Sequence, residues 1–370
     1  MQKKNLIIFM PSIEGGGVEK NLYIISNYLA DVFNGVSLIT ISKKYKFKFK
    51  KSINFITLQL DIWDKFSRKI KYFLSLFLLI KEFFKSRNVL VFAFQANIYC
   101  IILCKIFSVK VITRSNSAPS GWSKNFIKNY IFSLFLKKAD KIIVNSQDFK
   151  KVLKRKFNIN PVCVYNPLNT IEIKKLSKDK IKRIFPNNNN IKIINIGRYV
   201  DQKDQLTMLK SLFHIKKKIN FNAVLLGRGV NKKKFENFIK LNNLNKNIKL
   251  IDFKENPYPY LKQADIFILT SKFEGLPNVL LEALVLEKFV ISSNCPTGPK
   301  EILSNGRGGL LFKVGDYKDL SDKIIFYKKN KTKCKKMLKY SIKNLHRFDY
   351  KKNLKNYSTI LKPYLELKKK

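Results

Sequence analysis

The segment from Phe273 to Leu284 carries the most specific chemistry of this sequence. It places two glutamates, Glu274 and Glu282, on either side of a Gly-Leu-Pro-Asn turn, with seven residues between them. Proline is tolerated in the first helical turn, so the pattern predicts a helix that begins near Pro277 and offers N–H groups and a positive dipole end to an anionic ligand. Glu282 lies among apolar residues, where an unpaired carboxylate is costly. We therefore expect a ligand site here, rather than a near-cap glutamate and a solvated helix charge.

Two cations follow the predicted strand Ile191–Ile196. Arg198 comes just after the strand, next to Gly197, and Lys203 lies five residues further on. A planar guanidinium and a compact ammonium on one loop are a natural pair for a diphosphate. Arg198 is the stronger signal, because arginine is scarce in this sequence and lysine is abundant.

The run Gly15-Gly16-Gly17 follows the first predicted strand, Leu6 to Met10. Glycine lets a backbone approach a ligand, and a helix that begins near Val18 would direct N–H groups at an anion. Glu19 falls in the first turn of that helix. The spacing is not the G-x-G-x-x-G of dinucleotide sites, and a plain glycine turn is an equal alternative.

Short apolar runs alternate with helix-period segments, which is typical of parallel βαβ units. One series of predicted strands lies between Leu6 and Tyr165, and a second lies between Ile191 and Phe312. The fold class is therefore α/β, with two Rossmann-like, doubly wound parallel-sheet domains. Ligands of such sheets bind beyond the carboxyl ends of the strands, so we expect function in those loops and in a cleft between the domains.

The stretch 166–190 contains prolines and four consecutive asparagines, which suits an exposed connector. We predict an N-terminal domain over residues 1–180 and a C-terminal domain over residues 181–345. Residues 346–370 are predicted to form a C-terminal helix that packs back on the N-terminal domain and stops near Pro363.

The charge of the chain is unusual: 74 Lys+Arg against 25 Asp+Glu give a net charge of +49 over 370 residues. Most cations are lysines dispersed along the chain, whereas a groove-reading nucleic-acid protein would favour clustered arginines. A coding bias explains the dispersed part, and anionic lipid is a plausible partner for any face where lysine concentrates. We expect an anionic membrane surface as a partner, and no nucleic acid.

Five cysteines without a C-x-x-C pair fit reduced thiols and a cytoplasmic location. The first apolar run stops at Pro11 without a cleavage site, and no apolar stretch has the roughly 20 residues that span a bilayer. Residues 66–85 and 125–138 combine apolar surface with lysines, as in helices at a membrane interface, although core-facing helices are an equal alternative. We expect peripheral association with the inner face of the cell membrane.

In these motifs the sequence resembles the retaining glycosyltransferases of family 4, which have the two-domain GT-B fold. The resemblance rests on Glu274 and Glu282 with their neighbours, on Gly197-Arg198 followed by Gln202-Lys203, on Leu226-Gly227-x-Gly229, and on the stretch Cys295 to Leu303. The loop Gly15 to Glu19 also matches. The resemblance therefore extends over nearly the whole chain, with its specific motifs in the carboxyl-terminal half.

The resemblance implies a role for each matching residue. Arg198 and Lys203 would neutralise the donor diphosphate, Glu282 would hold the ribose hydroxyls, and Glu274 would bind the transferred sugar. The implied catalytic residues are Glu274, Arg198 and Lys203, and the implied donor-binding residues are Gly16, Gly17, Gly197, Arg198, Lys203, Gly275, Leu276, Asn278 and Glu282. Fixed cations and helix dipoles would stabilise the charge that develops on the leaving group. No Asp-x-Asp occurs, so we expect neither a metal site nor a cofactor.

The acceptor side is less well marked. Family members often place a histidine after a strand of the amino-terminal domain, but the only histidines are His214 and His346, on predicted helices. The corresponding loop is Thr113 to Ser117. The acceptor-side candidates are Glu19, Arg114 and Asn116, with a surface salt bridge as the alternative for Arg114.

The resemblance implies a metal-independent retaining glycosyltransferase that moves a hexose or N-acetylhexosamine. The expected donor is a nucleotide-diphosphate sugar with UDP as the nucleotide. The expected acceptor is a growing lipid-linked glycan, including a polyprenyl-diphosphate-linked one, or a lipopolysaccharide or capsule precursor. The alternatives are an epimerase or phosphorylase of the same architecture, and a basic nucleic-acid-binding protein with salt-dependent affinity.

Overall fold

The computed structural model describes residues 4–116 and 125–366 and divides into two compact units. The amino-terminal unit comprises Met1–Pro167 and Tyr350–Lys370, and the carboxyl-terminal unit comprises Leu168–Asp349. Each unit contains one parallel sheet with packed helices, so the predicted fold class is confirmed.

The amino-terminal unit contains, in its described residues, a seven-stranded sheet of order β3-β2-β1-β4-β5-β6-β7. Its strands are β1 Asn5–Phe9, β2 Val36–Ile39, β3 Asn54–Ile56, β4 Val89–Ala93, β5 Lys110–Ser115, β6 Lys141–Val144 and β7 Val162–Cys163. Its helices are α1 Gly17–Val32, α2 Arg68–Lys85, α3 Asn97–Ile106, α4 Phe126–Leu136, α5 Gln147–Phe157 and α14 Tyr350–Leu365, with 3-10 turns at Lys46–Lys48 and Asp61–Lys65.

The central strands of this sheet are apolar on both faces because helices cover both faces. In β1, Leu6 and Ile8 face the layer that contains α1 and α14, whereas Ile7 and Phe9 face the layer that contains α2 and α3. Helix α14 packs against α1 and β4. The strand order reverses between β1 and β4, which is the topological switch point of this sheet.

The carboxyl-terminal unit contains, within the described ranges, a six-stranded sheet of order β10-β9-β8-β11-β12-β13. Its strands are β8 Ile191–Ile196, β9 Phe221–Gly227, β10 Ile248–Asp252, β11 Ile266–Leu269, β12 Phe289–Ser293 and β13 Leu310–Phe312. Its helices are α6 Thr170–Leu176, α7 Gln205–Ile215, α8 Lys232–Leu241, α9 Tyr258–Lys262, α10 Asn278–Val285, α11 Pro299–Ile302, α12 Tyr317–Lys329 and α13 Lys331–Lys343, followed by a 3-10 turn at Asn344–Phe348. Its switch point lies between β8 and β11.

The units divide at Pro167, earlier than the predicted boundary near residue 180. The reason is helix α6, which packs against α9 and α10 and so belongs to the carboxyl-terminal unit. The last helix also differs from the prediction, which gave residues 346–370 and a stop near Pro363. It begins at Tyr350, and Pro363 lies inside it rather than ending it.

No helix in the part of the chain that the structure describes combines the length and the apolar character needed to span a bilayer. The five cysteines are free, and all but Cys163 are buried.

Candidate active site

Three loops meet at the carboxyl edge of the carboxyl-terminal sheet, after β8, β11 and β12. Lys272 N–H donates to the Gln202 carbonyl (2.8 Å), and the Thr270 hydroxyl donates to the Lys203 carbonyl (2.8 Å). The Ser293 hydroxyl donates to the Ser271 carbonyl (2.6 Å). These bonds fix the loops to one another at the switch point, where open parallel sheets bind their ligands.

Lys203 and Glu274, predicted as separate binding groups, form an ion pair within these loops. The Lys203 Nζ lies 2.5 Å from Glu274 Oε1, and the two side chains are 16% and 9% exposed. The Ser271 hydroxyl donates to the same carboxylate oxygen (2.6 Å). The second oxygen of Glu274, Oε2, makes no hydrogen bond with any described residue. A carboxylate held by one oxygen can accept a ligand hydroxyl at the other.

The main chain around Glu274 is held equally closely. The Thr297 hydroxyl donates to the Glu274 carbonyl. Gly298, after β12, has a φ of +91°, and a Cβ there would collide with the Gly275 carbonyl and lie 2.8 Å from Pro277 Cδ. Only glycine fits this position without strain. The loop after β12 therefore supports the turn that leads from Glu274 into α10.

Glu282 lies in α10 and is 6% exposed. The hydroxyl of Tyr258, from α9, donates to Glu282 Oε1 (3.1 Å). A hydrogen bond from a neighbouring helix therefore orients the carboxylate. This bond offsets part of the desolvation free energy of placing a carboxylate among apolar residues. Helix α10 begins at Asn278, so its positive end lies at the turn formed by Gly275 to Pro277.

Lys203 is paired with Glu274, whereas the charge of Arg198 has no counterion among the described residues. Its side chain is exposed, and no described residue forms an ion pair or hydrogen bond with its guanidinium. Its main chain is fixed, because Gln205 Nε2 donates to the Arg198 carbonyl (2.9 Å). The loop passes so close to β9 that a Cβ on Gly227 would overlap the Gly197 carbonyl. Arg198 is thus a free cation on a rigid loop.

The motif-based reasoning missed several residues that hold this site: Tyr199, Tyr258, Ser271 and Thr297. Tyr199 is fully buried, its hydroxyl donates to the Leu225 carbonyl (2.7 Å), and burial raises its pKa. Its position directly after Arg198 was the available signal. Tyr258 lies in a short helix with no motif, so sequence offered no signal for it.

Cys295 lies close enough to Glu274 to be affected by its charge, and it is 1% exposed. Burial, with a smaller effect of the Glu274 charge, raises the pKa of its thiol to about 12. The neutral thiol therefore acts as a packing group rather than as a nucleophile.

In the amino-terminal unit, Glu19 caps α1. Its carboxylate accepts from the N–H groups of Gly16 (3.0 Å) and Glu14 (3.4 Å), and the bond from Gly16 corresponds to one half of a capping box. The Gly16 N–H is therefore already engaged, and the ligand-binding roles of Gly16, Gly17 and Glu19 stay predictions.

Arg114 lies inside β5 rather than in the loop after it, and it is 0% exposed. Its guanidinium donates to the Tyr357 hydroxyl (2.9 Å), to Asn166 Oδ1 (2.6 Å) and to Asn116 Oδ1. The surface salt bridge considered for Arg114 is therefore wrong. Asn116 also donates to the Phe94 carbonyl (3.1 Å), and Ser117 of the predicted loop lies outside the described residues. The acceptor-side roles of Arg114 and Asn116 stay predictions.

Across residues 4–116 and 125–366, no group of three or more His, Cys, Asp or Glu side chains is arranged to hold a metal ion. Arg198 and Lys203, the two cations predicted from the sequence, both lie on the loop after β8.

Comparisons with known proteins identify similar sequences and similar folds. Residues 177–344 match the family model described as Glycosyl transferases group 1. The chain is 32% identical to an uncharacterised glycosyltransferase of Methanocaldococcus jannaschii, over 55% of this chain and 53% of that protein. It is 28% identical, over 85% of this chain and 87% of the relative, to the Campylobacter jejuni N-acetylgalactosamine-N,N'-diacetylbacillosaminyl-diphospho-undecaprenol 4-alpha-N-acetylgalactosaminyltransferase.

The fold of Anabaena HepE, solved in complex with UDP-glucose, matches with a TM-score of 0.77 at 16% identity, over 97% of this chain and 100% of that one. The chain therefore has the GT-B fold. The match to the Glycosyl transferases group 1 model covers residues 177–344, which is less than half of the chain. The alignment spans about half of the Methanocaldococcus relative and most of the Campylobacter one.

Proposed function

We propose that the protein is a retaining, metal-independent glycosyltransferase of family 4 that transfers a hexose or N-acetylhexosamine from a UDP-sugar to a lipid-linked glycan. The observation that carries the proposal is the arrangement at the β8–β11 switch point. There an exposed Arg198, which has no ion-pair partner among the described residues, accompanies a Lys203–Glu274 ion pair on hydrogen-bonded loops.

The donor diphosphate is proposed to bind Arg198 first, because that cation has no competing partner among the described residues. Lys203 then serves two anions, the Glu274 carboxylate and the diphosphate, whose charge increases as the glycosidic bond to phosphate breaks. A cation that is already positioned stabilises this charge without reorganisation at the moment of reaction. These two side chains supply the positive charge for which a metal ion would otherwise be needed.

The nucleoside and the sugar are proposed to meet the two glutamates. Glu282 would accept the ribose hydroxyls, with its carboxylate oriented by the Tyr258 hydroxyl. Glu274 would accept a sugar hydroxyl through Oε2 while Lys203 and Ser271 hold Oε1. The turn at Gly275, Leu276 and Asn278 would place the positive end of α10 near the donor.

The acceptor is proposed to be a glycan on a polyprenyl diphosphate or a comparable surface-polysaccharide precursor. The support is the Campylobacter relative, whose name describes transfer to a diphospho-undecaprenol-linked sugar. We accordingly place the reaction in the cytoplasm, at the inner face of the cell membrane, with neither a cofactor nor a nucleic-acid partner.

Donor binding tests the proposal directly. The purified full-length protein is titrated with UDP-, GDP-, ADP- and dTDP-sugars in EDTA, and binding is followed by thermal shift and ligand-observed NMR. We expect one UDP-sugar to bind without metal, and Glu282→Gln to abolish that binding while the protein stays folded. Glu287→Gln is the matched control, because Glu287 is exposed beyond the other end of α10.

Binding of the donor by Glu282→Gln with unchanged affinity would overturn the assignment, as would the absence of binding to any nucleotide sugar. Conversion of the UDP-sugar to an epimer without an acceptor would replace the transferase by an epimerase. A strict requirement for a divalent metal would contradict the proposed role of the two cations.

A further inference from the structure

Helices α2, α3 and α4 of the amino-terminal unit carry large apolar side chains on their solvent-facing sides. We call this surface the three-helix face and define it by six exposed residues: Phe73 and Phe77 of α2, Tyr99 and Ile106 of α3, and Ile127 and Tyr130 of α4. The neighbouring helices pack against one another, α2 on α3 and α3 on α4, so the six residues belong to one continuous layer.

These side chains are not the core-facing side of their helices. Leu79 and Phe83 of α2 and Cys100 and Cys104 of α3 face the sheet and are buried. Phe73 and Ile106, in contrast, are 73% and 71% exposed. Helix α2 therefore has apolar side chains on both sides, and an apolar side that no described residue covers indicates a second apolar environment.

Helices α2 and α3 also enclose a groove of about 330 Å³ on this face. Every side chain that lines it is apolar or aromatic, including Phe77 and Tyr99. The groove faces solvent, and the Tyr99 hydroxyl is the one polar side-chain group among its lining residues. The occupant that its chemistry favours is hydrocarbon.

The concentration of apolar surface is local. Most exposed large apolar side chains in the described part of the chain lie between residues 60 and 135. The described residues of the carboxyl-terminal unit have only a few, which are scattered: Ile171, Phe213, Val230, Leu241 and Phe253. The abundance of apolar residues in this sequence therefore does not account for the face.

Cations far outnumber acidic residues along these helices. The carboxylates that reach them from other elements, Glu14, Asp64 and Asp140, lie within ion-pair distance of Arg68, Lys71 and Lys105. Between residues 66 and 138 the sequence contains one acidic residue, Glu82, which is paired with Lys85 (2.6 Å). Lys69, Lys81 and Lys85 are exposed on α2, and the Lys81 ammonium lies 4.7 Å from the centre of the Phe77 ring. Long side chains of this kind keep their charge in water while their stems cover apolar surface.

We propose that the three-helix face docks on an anionic lipid bilayer, with its apolar residues in the acyl boundary and its lysines at the headgroups. A bilayer supplies both the hydrocarbon that the groove needs and the negative charge that the lysines need. A second copy of this chain would bring the same positive charge to the contact, which disfavours a dimer through this face. The inference rests on the proposed function, because a lipid-linked acceptor would explain why the protein binds a membrane. The binding test itself uses no substrate.

Vesicle sedimentation of the full-length protein is the test. The vesicles contain either phosphatidylethanolamine and phosphatidylglycerol in equal parts or phosphatidylcholine alone. We expect binding to the anionic vesicles and little to the neutral ones. Phe73→Ser with Phe77→Ser should weaken binding on the order of a hundredfold, because two exposed aromatic rings lose their burial in the bilayer. The control is Ile171→Ser with Leu241→Ser, which removes two apolar residues of the other unit that are each 81% exposed, more than Phe73 and Phe77.

The charge is tested separately. Lys69→Gln, Lys81→Gln and Lys85→Gln should each weaken binding to anionic vesicles roughly fivefold. The control is the same exchange at Lys233, Lys234 and Lys240, which are exposed on α8 of the carboxyl-terminal unit. Equal losses in both lysine sets would mean nonspecific attraction and would overturn the assignment of this face.

Donor binding separates this inference from the proposed function. Phe73→Ser with Phe77→Ser should bind the UDP-sugar as the parent protein does. If the parent protein binds the donor but not the vesicles, the docking inference fails and the transferase proposal stands. The same conclusion holds if the parent protein forms a dimer that Phe73→Ser with Phe77→Ser dissociates. If it binds vesicles but no nucleotide sugar, the transferase proposal fails instead.

Discussion

Replacing Lys203 by methionine tests the ion pair at the centre of the site. The substitution keeps the length of the side chain and removes the ammonium 2.5 Å from Glu274 Oε1. The Glu274 carboxylate then has only the Ser271 hydroxyl at that oxygen, in a position where its side chain is 9% exposed. Removing one partner of a fully buried pair costs about 3–5 kcal/mol. Since the Lys203 side chain is 16% exposed, we expect a smaller loss, about 1–3 kcal/mol of unfolding free energy.

A second substitution separates stability from chemistry. Glu274→Gln in the Lys203→Met background removes the uncompensated charge, so the double variant should regain most of the lost stability. It should not regain transferase activity, because both the cation that faces the diphosphate and the carboxylate that faces the sugar are gone. Urea unfolding of the four proteins in the double-mutant cycle measures the coupling energy, and a nucleotide-release assay measures turnover.

Two results would refute this reasoning. Additive losses of stability in the cycle would mean that the pair contributes no coupling. Parental turnover in the double variant would mean that the reaction does not use these two groups. Lys272→Met is a matched control, because Lys272 is exposed on the same loop as Glu274.

Three further predictions follow from single side chains. Arg198→Ala should lower turnover by at least about tenfold with an unchanged unfolding midpoint, because its guanidinium has no partner among the described residues; a lowered midpoint in thermal unfolding would contradict this. Arg114→Met should lower the unfolding free energy by about 2–4 kcal/mol in urea titrations, since it removes the buried guanidinium that donates to the Tyr357 hydroxyl, to Asn166 Oδ1 and to the half-buried Asn116; unchanged stability with lost acceptor binding would restore the acceptor role. Burial raises the pKa of the Cys295 thiol to about 12. At mildly alkaline pH this thiol should therefore react with iodoacetamide on the order of a hundredfold more slowly in the folded protein than in the unfolded chain. Peptide mapping measures the two rates, and equal rates would contradict the burial of Cys295.

The two sheets could be predicted from the sequence because buried parallel strands are continuous apolar runs between helices. The exception is β3, Asn54–Ile56, a three-residue strand at the sheet edge with no apolar run of its own. Edge strands need less apolar surface, so this signal was absent.

The sequence predicts those parts of the site whose residues lie close together along the chain. It does not predict contacts between residues that are far apart along the chain. The spacing of Glu274 and Glu282 and the order Arg198, Lys203 follow from local sequence. The Lys203–Glu274 pair depends on β8 and β11 being neighbours, which sequence order does not reveal. Arg114 could not be recognised as buried, because its partner Tyr357 lies 243 residues further along the chain.

The return of α14 to the amino-terminal unit has a consequence for biosynthesis. Leu354, Tyr357 and Leu361 complete the apolar layer over β1 and β4, yet the ribosome makes them after the whole carboxyl-terminal unit. Domains ordinarily fold in the order in which they are synthesised. Here the unit that begins first must finish last, and until Tyr357 emerges, Arg114 lacks one of its hydrogen-bond partners and the sheet lacks part of its cover. Chaperone occupancy of the nascent chain is therefore expected to persist until the final helix is made.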